Sequence, residues 1–400
     1  MRLKKRLNAC AFGLLVLGWS GIPRAGMAAP FIPATGSQVL ERLPSRNDPA
    51  QRELQQLRSA LAADPANVQS AVRLTQRYVE LWRDGGDPRY LGYAQAALAT
   101  WWTQPAPPTA ARVMRASLLQ STHRFVEALA DLDAVVKSDP GNAQAWLTRA
   151  TILQVLGHYA QARASCAHLA RLAPLLVAQT CQSGVESLSG HALAARRDLA
   201  DALKNAGEVS ADIRIWVLTL LAEIDERRGD AVLARTEFDQ AIRLGVPDSY
   251  LLAAYSDFLL MQGEPGKVVA LLKEKTAVDA LLLRYALALK AAGSPDAVAA
   301  NDMLAQRFDA ARMRGDTIHQ REQARFELEV AGRPDVALKV AQQNWATQKE
   351  PADTRLLLQA AVAAHDRQAA RPVLDWLAAT GLEDHALAPL IKQLGQPVQP

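Results

Sequence analysis

The sequence predicts an all-α chain of stacked antiparallel helix pairs, and three observations carry that reading. Pro140 and Pro174 stand 34 residues apart, each closing an amphipathic stretch, Lys137-Ser138-Asp139-Pro140 and Arg171-Leu172-Ala173-Pro174. Gly229 and Gly263 repeat the interval, each in a short turn between helical patterns. No segment shows the period-two alternation of a half-buried strand, while 50% of the residues are hydrophobic and only 6% aromatic, a composition that suits helices crossing closely on small side chains. A period of 34 with a turn at its middle is the length of one helical hairpin. Repeats therefore replace the two or three compact domains that 400 residues would otherwise suggest.

Taken in order, the chain opens on Met-Arg-Leu-Lys-Lys-Arg, an apolar run from Ala9 to Trp19 and the small residues Ala25-Gly26-Met27-Ala28-Ala29. That is the three-part layout of a secretory signal peptide over residues 1–29, with cleavage expected after Ala28 or Ala29 and the mature chain in the periplasm. Leu7-Asn8-Ala9-Cys10 looks like a lipoprotein box, but Cys10 precedes the apolar run instead of following it. The leader holds five basic residues and no acidic one. Of 45 basic and 41 acidic residues in the whole chain, 40 and 41 remain after cleavage, so the basic balance gives no support for nucleic-acid binding. The most apolar later stretch, Val278 to Gly293, is interrupted by Arg284 and Lys290 and is too short for a membrane span, so no membrane insertion is expected after cleavage.

Residues 30–47, with Pro30, Pro33, Gly36 and Pro44, read as an extended lead-in. Residues 48–381 read as the helical repeat region, with Asp64-Pro65 ending one helix and Asp84-Gly85-Gly86-Asp87-Pro88 joining two more. Turns around Gly190, Gly293, Gly332 and His365-Asp366 mark further pairs. Residues 382–400 read as a capping helix and a proline-bearing tail.

The segment from Ala143 to Pro174 places Trp146, Ala150, Gly157, Tyr159, Ala162 and Pro174 at the large, small, turn, aromatic, small and closing positions of a repeat. The preceding unit supplies Ala116, Phe125, Ala128 and Pro140, and a later one Gly229, Ala234, Phe238 and Ala241. In these residues the chain resembles the tetratricopeptide repeat (TPR) family, most closely over 109–174 and more loosely over 50–380. The resemblance implies a right-handed superhelical solenoid that binds a protein partner along its concave face; with the leader this reads as a scaffold or adaptor of the cell envelope, the alternatives being an accessory or regulatory subunit of an envelope enzyme or transporter, or an enzyme on a helical scaffold. On that face it places Gln120, Gln144, Leu147, Thr151 and Gln154, then Trp216, Thr219, Glu223, Tyr250 and Asp257, with Val113 and Glu226 beside them. Family members that grip a terminal carboxylate use paired Lys and Asn on this face. Val113, Ser117, Leu147 and Thr151 stand there instead, so the amide-lined and then mildly acidic surface suits a polar or basic segment of a partner.

Chemistry-bearing motifs are sparse. The seven histidines form no His-Glu-x-x-His pair, and there is no phosphate loop, nucleophile elbow or Cys-x-x-Cys knuckle, so no enzyme activity, cofactor or metal is expected. His158, Cys166, His168 and Cys181 are near in sequence, yet Cys166 and His168, two apart on a helix, face different directions. Trp101-Trp102 reads as a helix end under a proline-rich loop, and Asp225-Glu226-Arg227-Arg228 as a solvated helix end. Signal cleavage would leave only Cys166 and Cys181, in an oxidising compartment. They lie at similar distances before and after Pro174, so an antiparallel pair brings them to similar heights. A disulfide forms if their side chains face one another, and two buried thiols remain if they do not.

Overall fold

In this computed structural model the described residues are 35–37 and 48–395. The predicted leader, most of the predicted lead-in and residues 396–400 lie outside them. Residues 1–43 and 44–400 are separate units, and the second carries the fold. Among the described residues it contains 21 α-helices and no strand.

A first helix, α1 (Pro49–Ala63), precedes nine antiparallel pairs. The first pair is α2 (Val68–Gly85) with α3 (Arg89–Ala97), followed by the single turn α4 (Ala99–Trp102). Pairs two to four are α5 (Thr109–Ser121) with α6 (Phe125–Ser138), α7 (Ala143–Val155) with α8 (Tyr159–Leu169), and α9 (Leu175–Glu186) with α10 (Ala192–Lys204). Pairs five to seven are α11 (Ala211–Arg227) with α12 (Ala231–Arg243), α13 (Ser249–Met261) with α14 (Pro265–Leu272), and α15 (Asp279–Ala291) with α16 (Ala297–Met313). In the eighth, α17 (Gln320–Arg325) runs on as a π turn (Phe326–Val330) before α18 (Pro334–Thr347). The ninth is α19 (Pro351–Ala363) with α20 (Arg367–Thr380), and α21 (Leu387–Gly395) comes after it.

Local chemistry starts and stops these helices. Asn67, Asn142, Asp230, Asp248 and Asp366 each accept a backbone N–H three residues on, a cap that contributes about 1 kcal/mol. Pro49, Pro265, Pro334 and Pro351 occupy first helical positions, where the missing N–H costs nothing. Within every pair the turn needs one residue at positive φ. Seven pairs use glycine, and His123 (φ 57°) and His365 (φ 56°) hold the same conformation in the second and ninth.

The interior is a chain of clusters shared between neighbouring pairs rather than one central core. Ala116, Ala128, Ala150 and Ala162 are buried at the crossings, and Phe238 is fully buried between its pair and the next. Arg115, held by both oxygens of Asp131 at 2.6 and 2.7 Å, donates to the carbonyls of Trp101, Trp102 and Gln104. It thereby closes the end of α4, with Trp101 buried beneath. Cys166 of α8 and Cys181 of α9 are joined by a disulfide, their Cα atoms 5.6 Å apart. The His168 ring stacks on Trp146 at 4.2 Å, so neither histidine nor thiols of that stretch are arranged as metal ligands. Among the described residues no group of His, Cys, Asp or Glu is placed to hold a metal ion, and no helix is long and apolar enough to cross a membrane.

The stack winds far enough to meet itself. The Ser249 hydroxyl donates to the carbonyl of Arg83 at 3.2 Å, and a Cβ at Gly86 would collide with Val278. The Lys349 N–H donates to the carbonyl of Val155 and the His385 N–H to that of Arg227, both at 2.8 Å. These contacts join pairs far apart in sequence, which a purely linear stack would keep separate.

Candidate functional site

The inner face of this winding has two parts. On α5 and α7 it is uncharged. Gln144 is exposed and donates to the Thr148 hydroxyl, and exposed Thr151 donates back to the carbonyl of Leu147. Gln120 and Gln154 are half-buried, and Gln154 lies over Gly184.

From α11 onward the face is ionic, and most of its bonds cross between pairs. Asp257 of α13 accepts from Arg284 of α15 at 2.6 and 3.0 Å and from Arg325 at the start of the π turn. Arg321 of α17 holds Asp353 of α19 and Glu350 just before it. Arg355 of α19 binds Asp384 at 3.1 Å and reaches Glu226 of α11 at 3.6 Å. Tyr250 donates its hydroxyl to Glu223 at 2.6 Å. A π turn inserts one extra residue per turn and re-aims the side chains around it. Here it accompanies the delivery of Arg321, Glu322 and Arg325 to one face.

Acid outnumbers base in this network. Arg284, Arg321, Arg325 and Arg355 face Glu223, Glu226, Asp257, Glu322, Glu350, Asp353 and Asp384. Burial accordingly pushes the Glu226 carboxyl up to about 7, partly opposed by Arg355, and Asp353 up to about 6, partly opposed by Arg321. Burial also raises Glu223, and it raises Tyr250 well above the ordinary tyrosine value. For Asp257 and Glu322 the arginines outweigh burial and the pKa is lowered. Tyr250 nonetheless leaves 59% of its surface open to water, and Trp216 leaves 37%.

Not every residue expected on this face reaches it. Thr219 is 3% exposed and Val113 is 7% exposed, because their helices pack against neighbours on both sides. Leu147 is half-buried against the cluster around Trp146. The expectation of a solvated end at Asp225-Glu226-Arg227-Arg228 is overturned. Asp225 is fully buried between Arg196 and Arg228, Arg227 is 6% exposed, and Glu226 faces Arg355. The signal was in α11 itself. Ile215, Trp216, Val217, Leu218, Leu220 and Ile224 go all round the helix, and a helix apolar on every side is an interior helix whose charges lie inside too. Sequence reasoning also missed Arg284, Arg321, Arg325, Arg355 and Asp353, which come from pairs far along the chain.

The arrangement is that of an all-α, TPR-like helical-repeat solenoid. No protein-family profile matches the chain, and no curated protein sequence does. Among solved structures, the Cut9-Hcn1 hetero-tetramer of the APC/C is similar in fold at 13% identity, with 87% of this chain and 67% of that chain covered and a TM-score of 0.50. A tetratricopeptide repeat protein from Parabacteroides merdae aligns at 14% identity over 80% of this chain and 99% of that one, with a TM-score of 0.31. The human IFIT1 dimer with m7Gppp-AAAA aligns at 14% identity over 87% of each chain, with a TM-score of 0.41. At such identities the likeness concerns the fold alone.

Proposed function

We propose that the chain is a non-catalytic scaffold or adaptor of a bacterial cell envelope, exported by the leader over 1–29, that holds a basic or polar segment of a protein partner against its inner face. The observation that supports this most is the acid excess on that face beside two wetted aromatics, Trp216 and Tyr250. Aromatics exposed on a rigid wall supply contact area at small entropic cost, and unmatched carboxylates select a cationic segment. The contact would run from Gln120, Gln144, Thr151 and Gln154 to Glu223, Tyr250 and Asp257.

Site-specific photo-crosslinkers at Gln144 and Tyr250, compared with Val232, which is 77% exposed on α12, test the reading in the native envelope. A discrete adduct from the inner positions and none from Val232 is expected. Adducts from Val232 alone would contradict it. A second reading is favoured by one feature: burial pushes the Glu226 carboxyl up to about 7, the range a general acid or base requires. Under that reading Glu226→Gln abolishes a turnover and leaves partner capture intact. Under ours it weakens capture of the basic segment.

A further inference from the structure

Three successive pair turns, at Gly157, Gly190 and Gly229, are covered by one stretch of the C-terminal region. The Trp376 indole nitrogen lies 3.1 Å from where a Cβ on Gly157 would sit, the Gly381 carbonyl 3.5 Å from one on Gly190, and the His385 ring 3.4 Å from one on Gly229. The later turns at Gly263, Gly293 and Gly332 have nothing within 4 Å of the same point. All six glycines satisfy positive φ. Only the first three also let another backbone or ring settle on the turn. Dockings repeated at three consecutive units describe a built seam, not a chance touch.

The seam is thin. Its apolar part is Trp376 and Leu382 against the cluster of Trp146 and Tyr159, with the Trp376 and Tyr159 rings 6.0 Å apart. Its polar part is the two backbone bonds from Lys349 and His385, the His385 ring nitrogen on the Arg227 carbonyl, and Arg355 on Glu226 and the Met261 sulfur. The Tyr159 hydroxyl, Arg227 Nε and Arg355 Nε are buried beside it without hydrogen-bond partners. Each such orphan subtracts from the docked state. By contrast α18–α21 are built on one core, with Leu357, Leu358, Ala360, Ala361 and Val373 fully buried, which at the hinge end also takes in Ala324 of α17 and Leu328 of the π turn. A body that coheres better within itself than with its dock separates as a unit at lower cost than global unfolding.

We infer that residues 334–395 form a clasp, which undocks as one body from the turns at Gly157, Gly190 and Gly229 to open the inner face and re-docks to enclose it. The π turn at Phe326–Val330 and Gly332 supplies the hinge, and Arg321 of α17, bonded to Glu350 and Asp353, keeps that end of the body attached while the far end undocks. The inference does not depend on any partner, so its test uses the protein alone.

Native-state hydrogen exchange of the full chain reads it directly. The Lys349 and His385 amides, bonded across the seam, should exchange together and about 100-fold faster than the amides of Leu221 and Leu283 in helix cores. Glu226→Lys places a like charge opposite Arg355 without touching the clasp's own core, and should speed both seam amides by about tenfold while leaving Leu283 unchanged. Seam amides in wild-type protein that exchange no faster than Leu221 and Leu283 would overturn the clasp, as would two seam amides that respond separately to the substitution. The wild-type comparison decides the matter even if Glu226→Lys fails to fold.

Discussion

The two ends of the inner face are built differently. On the inner face of α5 and α7 the uncharged side chains bond within their own helix, as Ser117 does to the Val113 carbonyl, Gln144 to Thr148 and Thr151 to the Leu147 carbonyl. From α11 onward the charged groups are held from other pairs: Asp257 by Arg284 and Arg325, Asp353 by Arg321, Glu226 by Arg355. The first part is a surface, free to meet a partner without disturbing the fold. The second is also a brace, and there recognition and stability cannot be changed independently.

The sharpest way to break that contrast is to remove one carboxylate from the brace. Asp257→Ala leaves Arg284, 7% exposed, and Arg325 without their shared partner, and should cost about 3 kcal/mol in denaturant unfolding. Gln144→Glu and Thr151→Glu should each stay within about 0.5 kcal/mol, as exposed substitutions do. Equal costs at both ends would show that the brace carries no stability.

A smaller effect separates covered turns from open ones. Gly263→Ala meets only the strain of positive φ, about 1 kcal/mol. Gly157→Ala adds a Cβ pressed on Trp376 and should cost about 2–3 kcal/mol, with the excess disappearing in a Trp376→Ala background. An additive double substitution would deny the contact.

The smallest effect is that of pH. Glu226 rises from its ordinary 4.5 to about 7 and Asp353 from 3.8 to about 6, so the folded chain binds these protons more tightly than the unfolded one. Their favourable contribution is complete below the ordinary values and lost as pH rises through 6 and 7. Asp257 and Glu322, whose values are lowered, act only below about pH 4.5, outside that window. Glu237, pushed by burial up to about 8, adds to this and His123, lowered by burial, subtracts from it, so melting temperature should climb by a few degrees as pH falls from 8 to 5.5, and Glu226→Gln should reduce the climb. A melting temperature that falls over the same range would contradict the placement of Glu226.

Legibility in the sequence divides along the same line. Features fixed within one repeat could be read: the turn glycines and the small residues at the crossings of Ala150 and Ala162. Even the exception His365 fell in an expected turn. The unreadable part depends on superhelical geometry, because whether Arg355 meets Glu226 or Trp376 meets Gly157 is set by small rotations accumulated over several pairs. Asp225-Glu226-Arg227-Arg228 shows the boundary. Its charges suggested water, while the all-round apolar helix before it already indicated an interior position.

The claim on which the rest stands is that the winding closes on itself. His158 and Ala379 are both exposed and line one cleft across the seam, although one belongs to the third pair and the other to the ninth. With Cys166 and Cys181 joined to each other, spin labels on cysteines introduced at 158 and 379 give the separation by electron–electron dipolar spectroscopy. The account predicts one dominant short distance at pH 6, with a longer population growing above pH 7. A broad distribution centred on long distances at both pH values would mean an open solenoid, and the enclosed face, the brace and the clasp would all be contradicted.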